Sequence, residues 1–368
     1  MTRKENSNNP ELEIVGRFNQ YTEKVIESWL QLETKQGNRY VSIDRNRLKE
    51  IALLHYQDNL EVPAWRFKGV YPQDDLAFVS SCLSHNTINA AFNLPNGEKY
   101  SVPFGEGKPF SGAYAMVRKF YEAFGEELIT TIQLREAFKS PESTKKFFSG
   151  LNEIPYPDLR YLQLQDFIEN LQLNNQNPID LLFEISELNE EGEIIGFRAF
   201  DSQSGQGLVD LLIRQFPLAY GADHQTTGGL VFPMFKRAQL VALEMHGRAV
   251  NSTEETYIKP FIDIDQIGPI ADYEVPRSLR GLGIITVSNS LSKKIQSWKE
   301  VVKDSKQEVE LRAATIVSCA GLLIEINKLR QADQLPLINM SHLDYWLWSQ
   351  AKIVAGNIKP NLTRTMAY

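Results

Sequence analysis

A chain of 368 residues that is 42% hydrophobic and 23% charged has enough apolar material for one large core or two moderate ones, and no fibrous or disordered class is needed to explain it. Its formal net charge of −7 argues against a sequence-independent grip on nucleic acid, which needs a basic face, and favours a free small molecule as partner. Cys82 and Cys319 lack CxxC spacing, so neither a disulfide framework nor a zinc cage is signalled. With no apolar leader and no run of about 18 apolar residues, a cytoplasmic protein that does not enter membranes is expected.

In chain order, the polar, Asn-rich residues 1–10 read as a loose tail, and residues 11–368 as one mainly α-helical domain with a few short strands. Val15, Phe18, Val25, Ile26, Trp29 and Leu30 recur at helical spacing, and a second helix follows through Leu48, Ile51, Ala52 and His55. His55 has no second His or Cys at metal spacing and is expected on the helix surface. Trp65 falls in an apolar stretch expected to pack as a loop or short helix. Leu76 to Phe92 reads as a buried helix, and Lys99 to Phe104 as a short strand among Gly and Pro breakers. Helices are expected around Met116 to Phe124, Ile132 to Phe138, Leu159 to Leu171 and Gly207 to Phe216. An acidic hairpin is expected over Glu184 to Phe200, with Asn189-Glu190-Glu191-Gly192 at its middle.

The next helix, beginning near Pro233, has little polar face and should be buried. Lys236 and Arg237 at its start oppose the macrodipole. They either reach solvent and carboxylates, or converge with the free N–H groups on an anion such as a phosphate. Gly281-Leu282-Gly283 has the local pattern of a helix-hairpin-helix turn, the motif of many DNA glycosylases. An amphipathic helix is expected from Glu308 to Arg330, and Tyr345-Trp346-Leu347-Trp348 reads as core packing on a last helix. The sequence carries no P-loop, GxGxxG, HExxH or GxSxG.

Six elements in order carry a resemblance. They are Phe216-Pro217 with Asp223; Lys236-Arg237-Ala238-Gln239; Ala271-Asp272-Tyr273-Glu274-Val275-Pro276; Leu282-Gly283; Glu308-Val309-Glu310-Leu311-Arg312; and Leu343-Asp344-Tyr345-Trp346-Leu347-Trp348. On them the chain resembles the queuosine salvage protein family, which releases the base queuine from queuosine 5′-phosphate. Weaker similarity continues upstream through Ser111-Gly112, Thr87-Ile88-Asn89 with Phe92, and Trp65. Where the family reads Leu-Asn-Phe-x-Phe-Trp, this chain has Ile88-Asn89-Ala90-Ala91-Phe92-Asn93, and Tyr71-Pro72 stands where the family has His-Pro.

The resemblance implies hydrolysis of an N-glycosidic bond. Asp223 is expected to be the catalytic carboxylate that stabilises the sugar cation, with His224 beside it to tune or assist. Asp272 and Tyr273 are expected on the base, Lys236 and Arg237 on the 5′-phosphate, and Tyr220 and Asn89 elsewhere on the substrate. No metal or cofactor is expected. The partner is a small-molecule nucleotide met by a monomer, without a stable nucleic-acid complex. Two other readings stay open: a glycosylase acting on bases in nucleic acid, and a non-catalytic nucleobase-binding protein.

Overall fold

The helical periodicities fold as helices, except where Gly and Pro interrupt them. The computed structural model describes residues 16–34, 39–105, 107–200, 207–252 and 258–368, so the expected tail at 1–10 and the helical signal at Val15 lie outside the described residues. The first third runs α1 (Gln20–Thr34), β1 (Val41–Ile43), α2 (Arg45–His55), α3 (Asp75–His85), β2 (Ser101–Val102), β3 (Phe110–Ser111) and α4 (Ala113–Phe124). The middle runs α5 (Thr131–Ala137), α6 (Pro141–Phe147), α7 (Pro157–Leu173), α8 (Asp180–Phe183), β4 (Ser186–Leu188), β5 (Ile194–Phe197) and α9 (Leu208–Gln215). The last part runs β6 (His224–Thr227), β7 (Leu230–Pro233), α10 (Lys236–Val250), α11 (Val275–Gly281), β8 (Ile285–Val287), α12 (Asn289–Gln296), α13 (Lys306–Ala332) and α14 (Met340–Val354). The protein is thus mainly α, and its sheets are two-stranded antiparallel pairs: β1 with β8, β2 with β3, β4 with β5, and β6 with β7.

The first two helices and the C-terminal elements pack around α13. Each residue from Glu308 to Ala320 is buried, so this helix is not the amphipathic element its spacing suggested. Its buried Glu310 and Arg312 are held by partners from other elements. Glu310 accepts the N–H groups of Tyr40 (2.7 Å) and Val41 (3.1 Å) and so fixes the start of β1. Arg312 pairs with Asp223. Helices α1, α2, α11 and α14 and strands β1, β6 and β8 pack on α13. Helix α10 is the second buried rod, lying against α3 and α9, and its exposure rises at Leu240 because that face lines a cavity.

Two local expectations change. Gly281-Leu282-Gly283 ends α11 and leads into β8, so the turn joins a helix to a strand rather than two helices. Gly283, at φ 78°, is the left-handed residue that permits it. The hairpin β6–β7 had no counterpart in the periodicity reading, although its turn residues Gly228 and Gly229, at φ 59° and 75°, form the Gly-Gly signal of a tight hairpin. That hairpin, followed by left-handed Phe235 at φ 44°, starts α10 at Lys236 instead of Pro233.

Candidate active site

One cavity of about 410 Å³ opens between the face of α10 carrying Lys236, Leu240, Leu243 and Glu244, the start of α4, the start of α11 and the inner face of α14. Its volume lies within the range of small-molecule sites. Of the residues singled out in the sequence, Asn89, Lys236, Asp272 and Tyr273 line it. Asp344 and Glu244 line it as well, and neither was selected as a site residue by motif.

Asp272 and Asp344 form its chemical centre. Asp272 Oδ1 accepts the N–H groups of Glu274 (2.7 Å) and Val275 (2.8 Å), as a cap on α11. Asp344 Oδ1 accepts the Ile270 N–H at 3.1 Å. Each thus has one oxygen held by backbone. Burial, with the Asp272 charge nearby, pushes the Asp344 carboxyl up to about 8. Burial also raises Asp272, but the Lys236 ammonium and the cap N–H groups oppose it. Both carboxyls are raised by burial, but Asp272 has an ammonium and two N–H groups opposing the rise most directly, the kind of unlike pair that can separate acid from base. Lys236 stands between these groups and the Asn89 carbonyl, to which its Nζ donates at 2.9 Å. Burial brings it down to about 8.

Asp223, expected as the catalytic carboxylate, is not among the residues that line the cavity. Its carboxylate is buried in a two-point pair with Arg312, Oδ1 to Nη1 at 2.6 Å and Oδ2 to Nη2 at 2.9 Å, and accepts the Lys236 N–H at 2.9 Å. Burial alone would raise it, yet Arg312 and that N–H hold it below the ordinary value. Arg312 Nε in turn donates to the Ala271 carbonyl at 3.2 Å, and its guanidinium lies 4.1 Å from the Tyr368 ring centroid. The pair therefore braces the main chain beside Asp272 and the first turn of α10 from behind the cavity wall.

Three further expected site residues also sit away from the cavity. Arg237 projects the other way, donating to the carbonyls of Thr87 and of Leu218; successive helix residues point about 100° apart, so it cannot share the Lys236 face. The Tyr220 hydroxyl is buried on the Leu83 carbonyl at 2.6 Å. His224 is exposed on β6, with Nδ1 3.1 Å from the Gly221 carbonyl oxygen.

The walls are aromatic. Trp65, Tyr345 and Trp348, expected as packing, line the cavity with Tyr71, Tyr114 and Tyr368. Buried Arg248 secures the loop bearing Trp65 and Tyr71, donating to Trp65 O (2.9 Å), Pro72 O (2.9 Å) and Gln73 O (2.6 Å), with Nε 2.7 Å from Asp75. Arg160 does the same for the segment carrying Asn89 and Phe92. It donates to Ile88 O (2.6 Å), Ala90 O (2.7 Å) and Ala91 O (3.1 Å). Trp65 and Ala91 sit at φ 50° and 52°, conformations that cost roughly 1–2 kcal/mol each and persist because these guanidinium groups over-determine the loops.

Near the cavity floor, Cys82 Sγ, His85 Nε2 and Glu244 Oε2 lie within 4.8 Å of one another, all buried. Such a set could hold a soft divalent metal. In this structure the three are hydrogen-bonded among themselves and to Asn86.

A cavity with aromatic walls and two unlike carboxyls, held by a mainly helical scaffold, defines a small-molecule enzyme site. The chain belongs to the queuosine salvage protein family: the family profile of that description matches residues 82–368. It is similar to the queuosine 5′-phosphate N-glycosylase/hydrolase of Sphaerobacter thermophilus, 27% identical over 89% of this chain and 93% of the relative. Proteins of the same name from Bos taurus (25% identical, 86% of this chain and 90% of the relative) and Mus musculus (26%, 69% and 70%) are similar too. Among the described residues no helix is long and apolar enough to cross a membrane.

Proposed function

We propose that this protein hydrolyses the N-glycosidic bond of queuosine 5′-monophosphate, or a close 7-deazaguanine relative, and releases the free base for salvage into tRNA modification. The observation that carries the reading is the placing of Asp272 and Asp344, one oxygen of each held by backbone, in an aromatic cavity beside Lys236.

In the proposed mechanism the C1′–N9 bond breaks and its electron pair stays with the base. Asp272, kept anionic by Lys236 and its cap, stabilises the cation forming at the sugar carbon and takes a proton from the water that adds there. A 7-deazaguanine lacks the ring nitrogen that ordinary purines protonate, so the departing base needs a proton supplied elsewhere on its frame. Asp344 is protonated below about pH 8 and gives it that proton. The proton gained by Asp272 then restores Asp344, and the sum is water plus nucleotide to ribose 5-phosphate plus base.

Tyr273 packs on the substrate, with Lys99 5.6 Å from its ring centroid. The buried position of Lys236, near two carboxyl groups, suits the reacting centre better than a phosphate. Lys99 and the uncapped start of α4 at Ser111-Gly112-Ala113 suit the 5′-phosphate. Asp223 acts as a positioning residue through Lys236 and Arg312. On this reading the enzyme works as a cytoplasmic monomer on a free nucleotide. The nucleic-acid glycosylase reading has lost its local motif, since the Gly281–Gly283 turn leads into a strand.

The test is incubation with queuosine 5′-monophosphate, queuosine and GMP, with free base followed by mass spectrometry. Base release from the first, abolished in Asp272→Asn, is expected. No release from any of the three would leave the non-catalytic binding reading in its place.

A further inference from the structure

Five of the cavity's aromatic side chains close into a ring. Trp65 meets Tyr71 (centroids 5.8 Å apart), Tyr71 meets Tyr114 (6.4 Å), Tyr114 meets Trp348 (5.9 Å), Trp348 meets Tyr345 (6.2 Å), and Tyr345 returns to Trp65 (5.8 Å). A planar five-membered ring with sides near 6 Å would have its centre about 5 Å from each centroid, within the roughly 6 Å range of cation–aromatic attraction. Glu244 lines the same cavity, close enough for its charge to raise the phenols of Tyr71 and Tyr114, after burial itself.

Glu244 differs from those carboxylates of the chain that face a cation. Asp223 faces Arg312, Asp75 faces Arg66 and Arg248, and Glu274 faces Lys99 and Arg277. The basic group at salt-bridge distance from Glu244 among the described residues is the His85 ring, 3.4 Å away. Its bonds converge on one oxygen: Oε2 accepts from Asn86 Nδ2 at 2.8 Å and from Cys82 Sγ at 3.2 Å. Oε1 accepts none among the described residues. One oxygen is thus fixed and the other is open, in a cavity lined by these aromatic side chains.

We propose that the aromatic ring and Glu244 form a subsite for an alkylammonium group, the protonated secondary amine borne on carbon 7 of the queuine base. The inference rests on the proposed substrate and deepens it, by assigning the end of the cavity that recognises the base's substituent. Lys236 and Glu244 are eight residues apart on α10, about 12 Å at 1.5 Å per residue. The nucleotide therefore lies along that helix, its glycosidic bond by Lys236 and its ammonium by Glu244. Glu244 and the ring are specificity determinants and take no part in bond cleavage.

The test separates this subsite from the reaction. Dissociation constants of two free bases, 7-aminomethyl-7-deazaguanine and 7-cyano-7-deazaguanine, are measured by titration calorimetry on the full chain, alongside hydrolysis of queuosine 5′-monophosphate. The cationic base should bind about 10- to 100-fold more tightly than the neutral one, the scale of a charge-assisted contact reinforced by aromatic faces. Glu244→Gln and Trp348→Leu should each shrink that ratio to a few-fold. Trp348 is only partly buried, so it keeps the test open should the Glu244 variant fail to fold. Equal affinities in the wild type, a ratio unchanged in the folded variants, or no binding of either base while queuosine 5′-monophosphate is cleaved would overturn the subsite. Absence of cleavage with the affinity ratio intact would overturn the proposed reaction and leave the subsite standing.

Discussion

Replacing Asp223 with Asn tests whether this residue braces the site or does the chemistry. Two hydrogen bonds of 2.6 and 2.9 Å join its carboxylate to Arg312, both side chains being 1% exposed. An amide keeps the shape but leaves the guanidinium buried without a counter-charge. Breaking a buried pair from one side costs about 3–5 kcal/mol. At about 2.1 cal/mol/K per residue, unfolding 368 residues carries an entropy near 0.8 kcal/mol/K, so Tm should fall by about 4–6 °C. Asp272→Asn should behave oppositely. Its charge is disfavoured by burial, so Tm should stay within about 2 °C while base release falls by two or more orders of magnitude, the scale of a lost electrostatic stabiliser. Thermal unfolding by circular dichroism and base release at a temperature well below both midpoints measure the pair. The reasoning is refuted by an Asp223→Asn protein that melts with the wild type yet has lost turnover.

The rate should also report the two groups that hold protons near neutrality. Lys236 and Asp344 are both protonated below about pH 8, so kcat/KM should fall as pH rises through 8, and a profile flat to pH 9.5 would exclude that role. Asp344 has a raised folded value, so its stabilisation is complete below the unfolded value of 3.8, declines as pH rises, and is lost above about 8; Asp344→Asn should remove that contribution from the pH dependence of Tm. Arg160→Lys cannot reproduce a planar fork donating to four carbonyls, and it should raise KM several-fold and cost about 2–4 kcal/mol in chemical denaturation, whereas an unchanged KM would separate the segment 88–92 from binding. Gly247→Ala would put a Cβ 2.5 Å from the Pro63 carbonyl oxygen and 3.2 Å from Trp65 Nε1; a loss of about 1–3 kcal/mol with weakened substrate binding is expected, and wild-type Tm and KM would refute it.

How much was legible follows from what each signal measures. Residue spacing reports the face of one element, so α2, α4, α7, α9, α10 and the β4–β5 hairpin could be located from the chain alone. Asp272, Tyr273, Lys236 and Asn89 could be named from the ordered motifs, and all four line the cavity. Motifs do not separate a residue that meets the substrate from one that holds the wall upright. Arg237 sits in the same motif as Lys236 and Asp223 in the same ordered series, yet they bond to the Thr87 carbonyl and to Arg312 behind the cavity. The burial of α13 on all sides could not be read from spacing either, because partners such as Tyr40 for Glu310 and Asp223 for Arg312 are distant in sequence. The sequence by itself determined the helical class, the family and the residue types of the chemistry, since these depend on local pattern and motif order. Only the tertiary structure decided which carboxyls face the cavity and what proton each holds, because burial and neighbouring charge come from elements far apart in the chain.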